Sequence, residues 1–211
     1  MSKNKKIMAD LKYFHGTTTL AFICRSGIII AVDSRASLGN YIGSSNVKKV
    51  IEIKSYLLGT MAGGAADCFF WERKLGCLCD LYEVETGKKI TVPGASKMLV
   101  NMIFKYRNSG ISMGTMIIGW DNNQPSIYYV DSEGNRLKVK MVSVGSGSTF
   151  AYGILETNYN WNLSVQEGYI LARSAIINAA HKDPFSGGKI NIYIVRKEGW
   201  IKLLSEDMGE H

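Results

Sequence analysis

Helical patterns come in consecutive pairs along this chain, and blocks of strands separate the pairs. Strand-forming runs occupy residues 18–24, 27–33, 47–53 and 57–62. Two helical stretches follow, one over 66–84 and one framed by Pro93 at its first turn and Gly110 beyond its end. The second keeps Ala95, Met98, Leu99, Met102, Ile103 and Tyr106 at helical period. Strands resume at 114–120, 126–130 and 137–144, with turns at Asp121-Asn122-Asn123 and Asp131-Ser132-Glu133-Gly134-Asn135. Gly145-Ser146-Gly147-Ser148 leads into a short helix, and the capping-box pattern Ser164-Val165-Gln166-Glu167 starts a longer one that ends near His181. Strands over 190–195 and 200–204 close the chain. An alternating parallel sheet needs one crossover helix between successive strands, so helices in twos exclude it. Two sheets packed face to face, with a helix pair outside each, satisfy the order. The expected class is α+β, a four-layer αββα sandwich.

Arg25-Ser26 joins the first two runs, a spacing that predicts a hairpin. The second run, Ile28-Ile29-Ile30-Ala31-Val32, is almost uninterrupted and is expected to be buried on both faces before it ends at Asp33. Residues 34–45, rich in Ser and Gly, read as a loop or bent segment. Alternation through 47–53 then puts Val47, Lys49, Ile51 and Ile53 on one face. A lysine among three apolar residues needs a partner, for which Asp33 is a candidate, or must snorkel out at a sheet edge. Gly63-Gly64 lies between a strand and a helix, where exposed backbone N–H groups suit a developing anion.

His15-Gly16-Thr17-Thr18-Thr19-Leu20 places a residue without a Cβ directly before a hydroxyl. If the Gly16–Thr17 bond is cut, Thr17 gains an α-amine of ordinary pKa about 7.7–8.0. One residue then carries a nucleophile and a proton acceptor together. Read alone, the three threonines are also an ordinary β-branched strand start.

The 211 residues, 46% hydrophobic and 20% charged, describe a globular chain with no linker, repeat or composition shift. Residues 1–16 read as a mobile lysine-rich leader and 17–211 as a single domain. No apolar run approaches the roughly 18 residues of a membrane span, and no apolar stretch follows the first lysines as a secretory signal would require. A cytoplasmic and nuclear location is the default. The net charge of +7 includes +3 from the first sixteen residues, and the remaining basic residues form no stripe with aromatics, so nucleic acid is not an expected partner. Cys24, Cys68, Cys77 and Cys79 make no disulfide framework and, with three histidines, no zinc set; buried thiols and no cofactor are expected. Gly110-Ile111-Ser112-Met113-Gly114, followed by Asp131 and His181, matches a serine-hydrolase motif literally, but Ser112 precedes a strand and does not cap a strand-to-helix turn. Gly145-x-Gly147 fails as a dinucleotide fingerprint because Phe150 takes the third glycine position.

Thr17-Thr18-Thr19-Leu20-Ala21-Phe22, Asp33-Ser34-Arg35-Ala36, Lys48-Lys49-Val50-Ile51-Glu52-Ile53 and the block from Leu58 to Asp67 together resemble the proteasome beta-subunit family, in its chymotrypsin-like type-five branch. Ser112-Met113-Gly114-Thr115-Met116, the block from Tyr128 to Asn135, Val144-Gly145-Ser146-Gly147-Ser148 and Ser186-Gly187-Gly188 extend the resemblance over residues 15–205. It implies an N-terminal-nucleophile hydrolase, a threonine endopeptidase that cleaves after large hydrophobic residues. Thr17 is then the nucleophile, freed by autocatalytic cleavage after Gly16, with Asp33 and Lys49 beside it. Gly63 matches the residue whose N–H holds the oxyanion, and Ser146, Asp183 and Ser186 match the polar cluster that steadies the threonine. Met61 and Ala65 match the pocket for the side chain ahead of the cut bond, with Ala36, Ser37 and Val47 nearby. Ser37 and Gly43 stand where relatives more often have Thr and Ala, which implies a looser rim. The implied partners are polypeptide substrates, assembly chaperones and other alpha and beta subunits in stacked heptameric rings. The alternative is a non-catalytic ring subunit, should the leader be retained.

Overall fold

Strand alternation sorts the side chains of the first hairpin into two apolar layers. The computed structural model describes residues 16–38, 41–121 and 124–209, so the expected leader, Gly16 apart, lies outside the described residues, as do Asn122 and Asn123 of the expected turn. β1 (Thr19–Cys24) and β2 (Gly27–Val32) pair antiparallel through the two-residue connection, with Cys24 opposite Gly27. Every residue of both strands is buried, as the uninterrupted apolar run predicts. Leu20, Phe22, Ile29 and Ala31 point one way, and Ala21, Ile23, Ile28, Ile30 and Val32 point the other.

The remaining strands are β3 (Ala36–Leu38), β4 (Tyr41–Ser44), β5 (Val50–Lys54), β6 (Leu57–Thr60), β7 (Ala62–Gly63), β8 (Met113–Asp121), β9 (Gln124–Asp131), β10 (Arg136–Val139), β11 (Met141–Val144), β12 (Lys189–Arg196) and β13 (Gly199–Asp207). The helices are α1 (Ala65–Thr86), α2 (Val92–Phe104), α3 (Ser148–Asn158) and α4 (Val165–Lys182). One antiparallel sheet runs β11-β1-β2-β12-β13; the other runs β10-β9-β8-β6-β5, with β7 also paired to β8. Between the sheets, Ala21, Ile28, Ile30 and Val32 meet Leu58, Met116, Ile118 and Ile127. The outer face of the first sheet packs Leu20, Phe22, Ile29 and Ile192 on Leu155, Leu171 and Ile176 of α3 and α4. The outer face of the second packs Leu57, Ile117 and Val130 on Leu75, Leu99 and Ile103 of α1 and α2. These three apolar layers separate four layers of secondary structure, the αββα sandwich that the order of elements predicts. Among the described residues, no helix is long and apolar enough to cross a membrane.

The structure corrects several expectations. Residues 137–144 are two strands: Val139 pairs with Ile127 in one sheet and Met141 with Phe22 in the other, so the chain changes sheets at Lys140. The expected third strand starts only at Val50, because Val47 N–H bonds the carbonyl of Ser34 and the Lys49 carbonyl accepts from Met61 N–H. The loop at 34–45 contains the short β3–β4 hairpin. α2 stops at Phe104, where a tightened turn forms from Tyr106 N–H to the Ile103 carbonyl, and Tyr106 packs against Trp71 with ring centroids 5.1 Å apart. Cys24, Cys68 and Cys79 are buried, but Cys77 faces outward on α1 and is exposed. α4 begins with the complete capping box at Ser164 and Glu167.

Candidate active site

β2 ends by carrying Asp33 out of an apolar strand into a ring of donors. Its Oδ1 accepts from Thr18 N–H at 2.9 Å and Lys49 Nζ at 2.6 Å; its Oδ2 accepts from Gly187 N–H at 2.9 Å and Arg35 N–H at 3.2 Å. The residue has no solvent exposure. Lys49, 2% exposed, therefore does not snorkel and pairs inward with Asp33. Burial pulls its ammonium below the ordinary lysine range, and Asp33 opposes that shift without cancelling it.

Thr17 precedes β1 and is itself buried. Lys49 Nζ donates to its Oγ1 at 2.8 Å, and that hydroxyl donates to the Gly16 carbonyl oxygen at 2.6 Å. The same Nζ lies 3.3 Å from the Gly16 carbonyl oxygen. One ammonium thus touches a hydroxyl and the oxygen of the neighbouring peptide bond. On the other side, Thr17 N–H donates to Ser146 Oγ at 3.2 Å. Ser146 and Ser186 hydroxyls both donate to Asp183 Oδ2, at 2.5 and 2.6 Å, and Ser186 Oγ is 2.7 Å from Thr18 Oγ1. Asp183 caps the C-terminus of α4, so the first sheet's helix pair supplies this support. The turn ahead of α3 must approach closely as well. Gly145 has φ +108°, and a Cβ there would lie 2.1 Å from the Thr17 carbonyl oxygen, so glycine is required.

A cleft opens over these groups, lined by Gly16, Thr17, Ala36, Ser37, Val47, Lys49, Met61, Gly63 and Ala65. All five residues expected to hold substrate, Ala36, Ser37, Val47, Met61 and Ala65, are in this wall, beside the expected nucleophile, lysine and oxyanion glycine. Gly16 N–H bonds Ser37 Oγ at 3.0 Å, so the backbone ahead of Thr17 runs along the cleft edge. Gly63 pairs with Met113 across β7 and β8. Ala36, Val47, Met61 and Ala65 make the apolar part of this wall. Among the described residues, no group of three or more His, Cys, Asp or Glu is placed to hold a metal.

Sequence reasoning missed several partners. Thr18, Arg35 and Gly187 all bond the Asp33 carboxylate through backbone N–H groups, and a main-chain donor leaves no mark on residue type. Arg35 also donates from Nη1 to the Pro184 carbonyl at 3.1 Å, tying the two loops together. The serine-hydrolase match is not assembled. Asp131 accepts from Glu133 and Asn135 N–H in its own turn, Ser112 N–H bonds Asp67, and His181 lines a separate cavity with Arg173 and Glu206.

Comparison with known proteins places this geometry in a family. Residues 13–195 match the family model described as "Proteasome subunit". The chain is 54% identical over 206 residues to proteasome subunit beta type-5-A of Arabidopsis thaliana, covering 98% of this chain and 75% of that protein. It is 54% identical over 197 residues to proteasome subunit beta type-5 of Dictyostelium discoideum, covering 93% and 72%. It is also 54% identical over 208 residues to proteasome subunit beta type-8 of Rattus norvegicus, covering 99% and 75%.

Proposed function

The chain belongs to the proteasome subunit family, among relatives of the beta type-5 and type-8 kind, and from that premise we propose that it is a threonine endopeptidase of the core particle that cleaves after large hydrophobic residues. Membership of the family entails assembly with other proteasome subunits. The proposal extends this to stacked heptameric rings built with assembly chaperones, in cytoplasm and nucleus. The observation that carries the catalytic reading is Lys49 Nζ, which reaches both Thr17 Oγ1 and the Gly16 carbonyl oxygen while Asp33 holds it from behind.

Two stages use that arrangement. In the first, Thr17 Oγ1 adds to the Gly16 carbonyl carbon while neutral Lys49 Nζ takes the hydroxyl proton, and the ammonium so formed meets the negative oxygen and supplies the proton for the departing nitrogen. Collapse breaks the peptide C–N bond, leaves Gly16 as an ester on Oγ1, and gives the Thr17 nitrogen a proton. Water then hydrolyses the ester, and the leader departs as a carboxylic acid. In the second stage, Oγ1 adds to a substrate carbonyl while the free α-amine or Lys49 takes its proton. Gly63 N–H faces the oxyanion, the leaving amine receives the proton, and water hydrolyses the acyl ester. Because burial depresses the Lys49 pKa, proton exchange at that nitrogen costs less than it would for a solvated lysine. Met61, Ala65, Ala36 and Val47 receive the hydrophobic side chain, and Ser37 presents main chain to the substrate.

Intact mass of the subunit from purified particles tests the proposal. A mature form that starts at Thr17 is expected, as is labelling of that residue by an epoxyketone, which captures an amine and its neighbouring hydroxyl together. Thr17→Ala should retain the leader and abolish cleavage after hydrophobic residues. A wild-type subunit that keeps its leader in finished particles would make it a non-catalytic ring member.

A further inference from the structure

Glu72 has no solvent exposure and sits in the apolar layer between α1 and the second sheet. Ala65, Cys68 and Glu72 are spaced by three and four residues, so they share one face of α1. Each touches what the cleft is built on. Ala65 is in the cleft wall, and Cys68 Sγ donates to the Ala62 carbonyl of β7 at 3.4 Å. Glu72 Oε1 accepts from Thr115 Oγ1 on β8 at 2.6 Å, two residues past Met113, the pairing partner of Gly63. Its other oxygen, Oε2, is buried with no partner. β6 makes room for that oxygen with Gly59, where a Cβ would stand 2.1 Å away.

The groups that face Glu72 are the Thr115 hydroxyl from β8, the Gly59 backbone from β6 and the Cys68 thiol on its own helix. The thiol is itself pushed up by burial and by Glu72. The salt bridges among the described residues use Lys49, Lys54 and Arg173, and none reaches Glu72. Burial pushes the Glu72 carboxyl up to about 8, with Thr115 opposing the shift. A neutral acid is thus sealed against two strands, at the root of the helix that walls the cleft.

We propose that Glu72 is a positioning residue for the pocket that takes the hydrophobic side chain: as a neutral acid bonded to β8 it keeps the first turns of α1 packed on the second sheet, and on ionising it releases Ala65 from the pocket wall. The inference rests on the cleft being the substrate pocket of the peptidase. An anion at Oε2 has no donor to meet it, so it draws in water and lifts α1 away from the sheet. Thr17 and Asp33 adjoin the first sheet and lie outside this movement, and Gly63 is held by its pairing with Met113 of β8. Binding of a large side chain therefore weakens while turnover of bound substrate persists.

The test is kcat and KM from pH 6 to 9 in assembled particles, on a fluorogenic peptide with leucine or tyrosine before the cut bond. KM of the wild type should rise about fivefold from pH 8 to 9, as titration of one group near 8 requires, with kcat following a separate profile. Glu72→Gln, which keeps the shape and cannot ionise, should hold KM flat over that range and match the wild type at pH 6. Thr115→Val removes the hydroxyl that favours the anion and should move the KM rise to higher pH, which loss of packing alone would not do. A wild-type KM that stays flat, a rise retained in Glu72→Gln, or a midpoint unmoved by Thr115→Val overturns the proposal. Epoxyketone labelling of Thr17 in the same particles keeps the two readings apart. Labelled particles with a flat KM reject the role of Glu72 alone, whereas unlabelled particles reject the peptidase and this inference with it.

Discussion

Asp33 and Glu72 are both side-chain carboxyls with no solvent exposure, one between the first sheet and the site, the other under α1. Asp33 accepts four donors, one of them the Lys49 ammonium, whereas Glu72 accepts one hydroxyl and leaves an oxygen bare. Equal burial therefore gives two different chemistries. A carboxyl surrounded by backbone N–H groups and a cation stays an acceptor and can organise charge next to a nucleophile. A carboxyl with a single neutral partner is favoured as the uncharged acid. The number and kind of partners decides the outcome, and both acids lie close enough to the cleft for that outcome to matter to it.

The comparison breaks most visibly if the cation is taken away. Lys49→Met leaves Asp33 buried without its countercharge, which should cost about 3–5 kcal/mol of stability. It also removes the proton-handling group at Thr17, so peptidase activity should fall by at least about 100-fold, and leader removal should stall, by particle assay and intact mass. The second measurement turns on the sign of the Glu72 shift. Its carboxyl is raised from 4.5 to about 8, so its contribution is fully present below pH 4.5 and is lost as pH climbs through 8. Thermal midpoints of wild-type particles should decline over that window relative to Glu72→Gln, by an amount worth roughly a few kcal/mol. Identical pH dependence in the two would mean that Glu72 has a partner like that of Asp33. The smallest effect belongs to the outer ring of the site. Ser146→Ala deletes one hydroxyl between Thr17 N–H and Asp183 while Ser186 still holds Asp183, and should cost about 1 kcal/mol. Its trace should be a modest fall in kcat with a near-normal melting curve.

Much of this was legible in the chain. The paired helices between strand blocks dictate the four layers, and alternation puts Lys49 among inward residues with Asp33 as a candidate partner or a snorkelling lysine as the alternative, between which the 2.6 Å contact decides. The switch of sheets at Lys140 was not legible, because a period of two states which way side chains point and says nothing about which strand lies alongside. The inward residues do hint at it, since Val139 is followed by Val142 and Val144, a spacing of three where two was due. The end of α2 was hidden by Tyr106, whose position fits the helical period although its ring packs on Trp71 from a turn. Glu72 was not singled out, because a glutamate followed by Arg73 and Lys74 in a helical run carries no mark of burial. Ser146, Asp183 and Ser186 lie far along the chain from Thr17, and only the family resemblance linked them; the structure now shows that they adjoin it.

The step at Lys140, one residue between a strand of each sheet, ties the thermodynamics of the halves together. β9 cannot shed its neighbour β10 without tugging on β11, and hence on β1, which begins two residues after Thr17. The sandwich is thereby fastened along one seam like a folded card, so its two leaves open as a single cooperative event, and the nucleophile stays in register for as long as the fold itself endures.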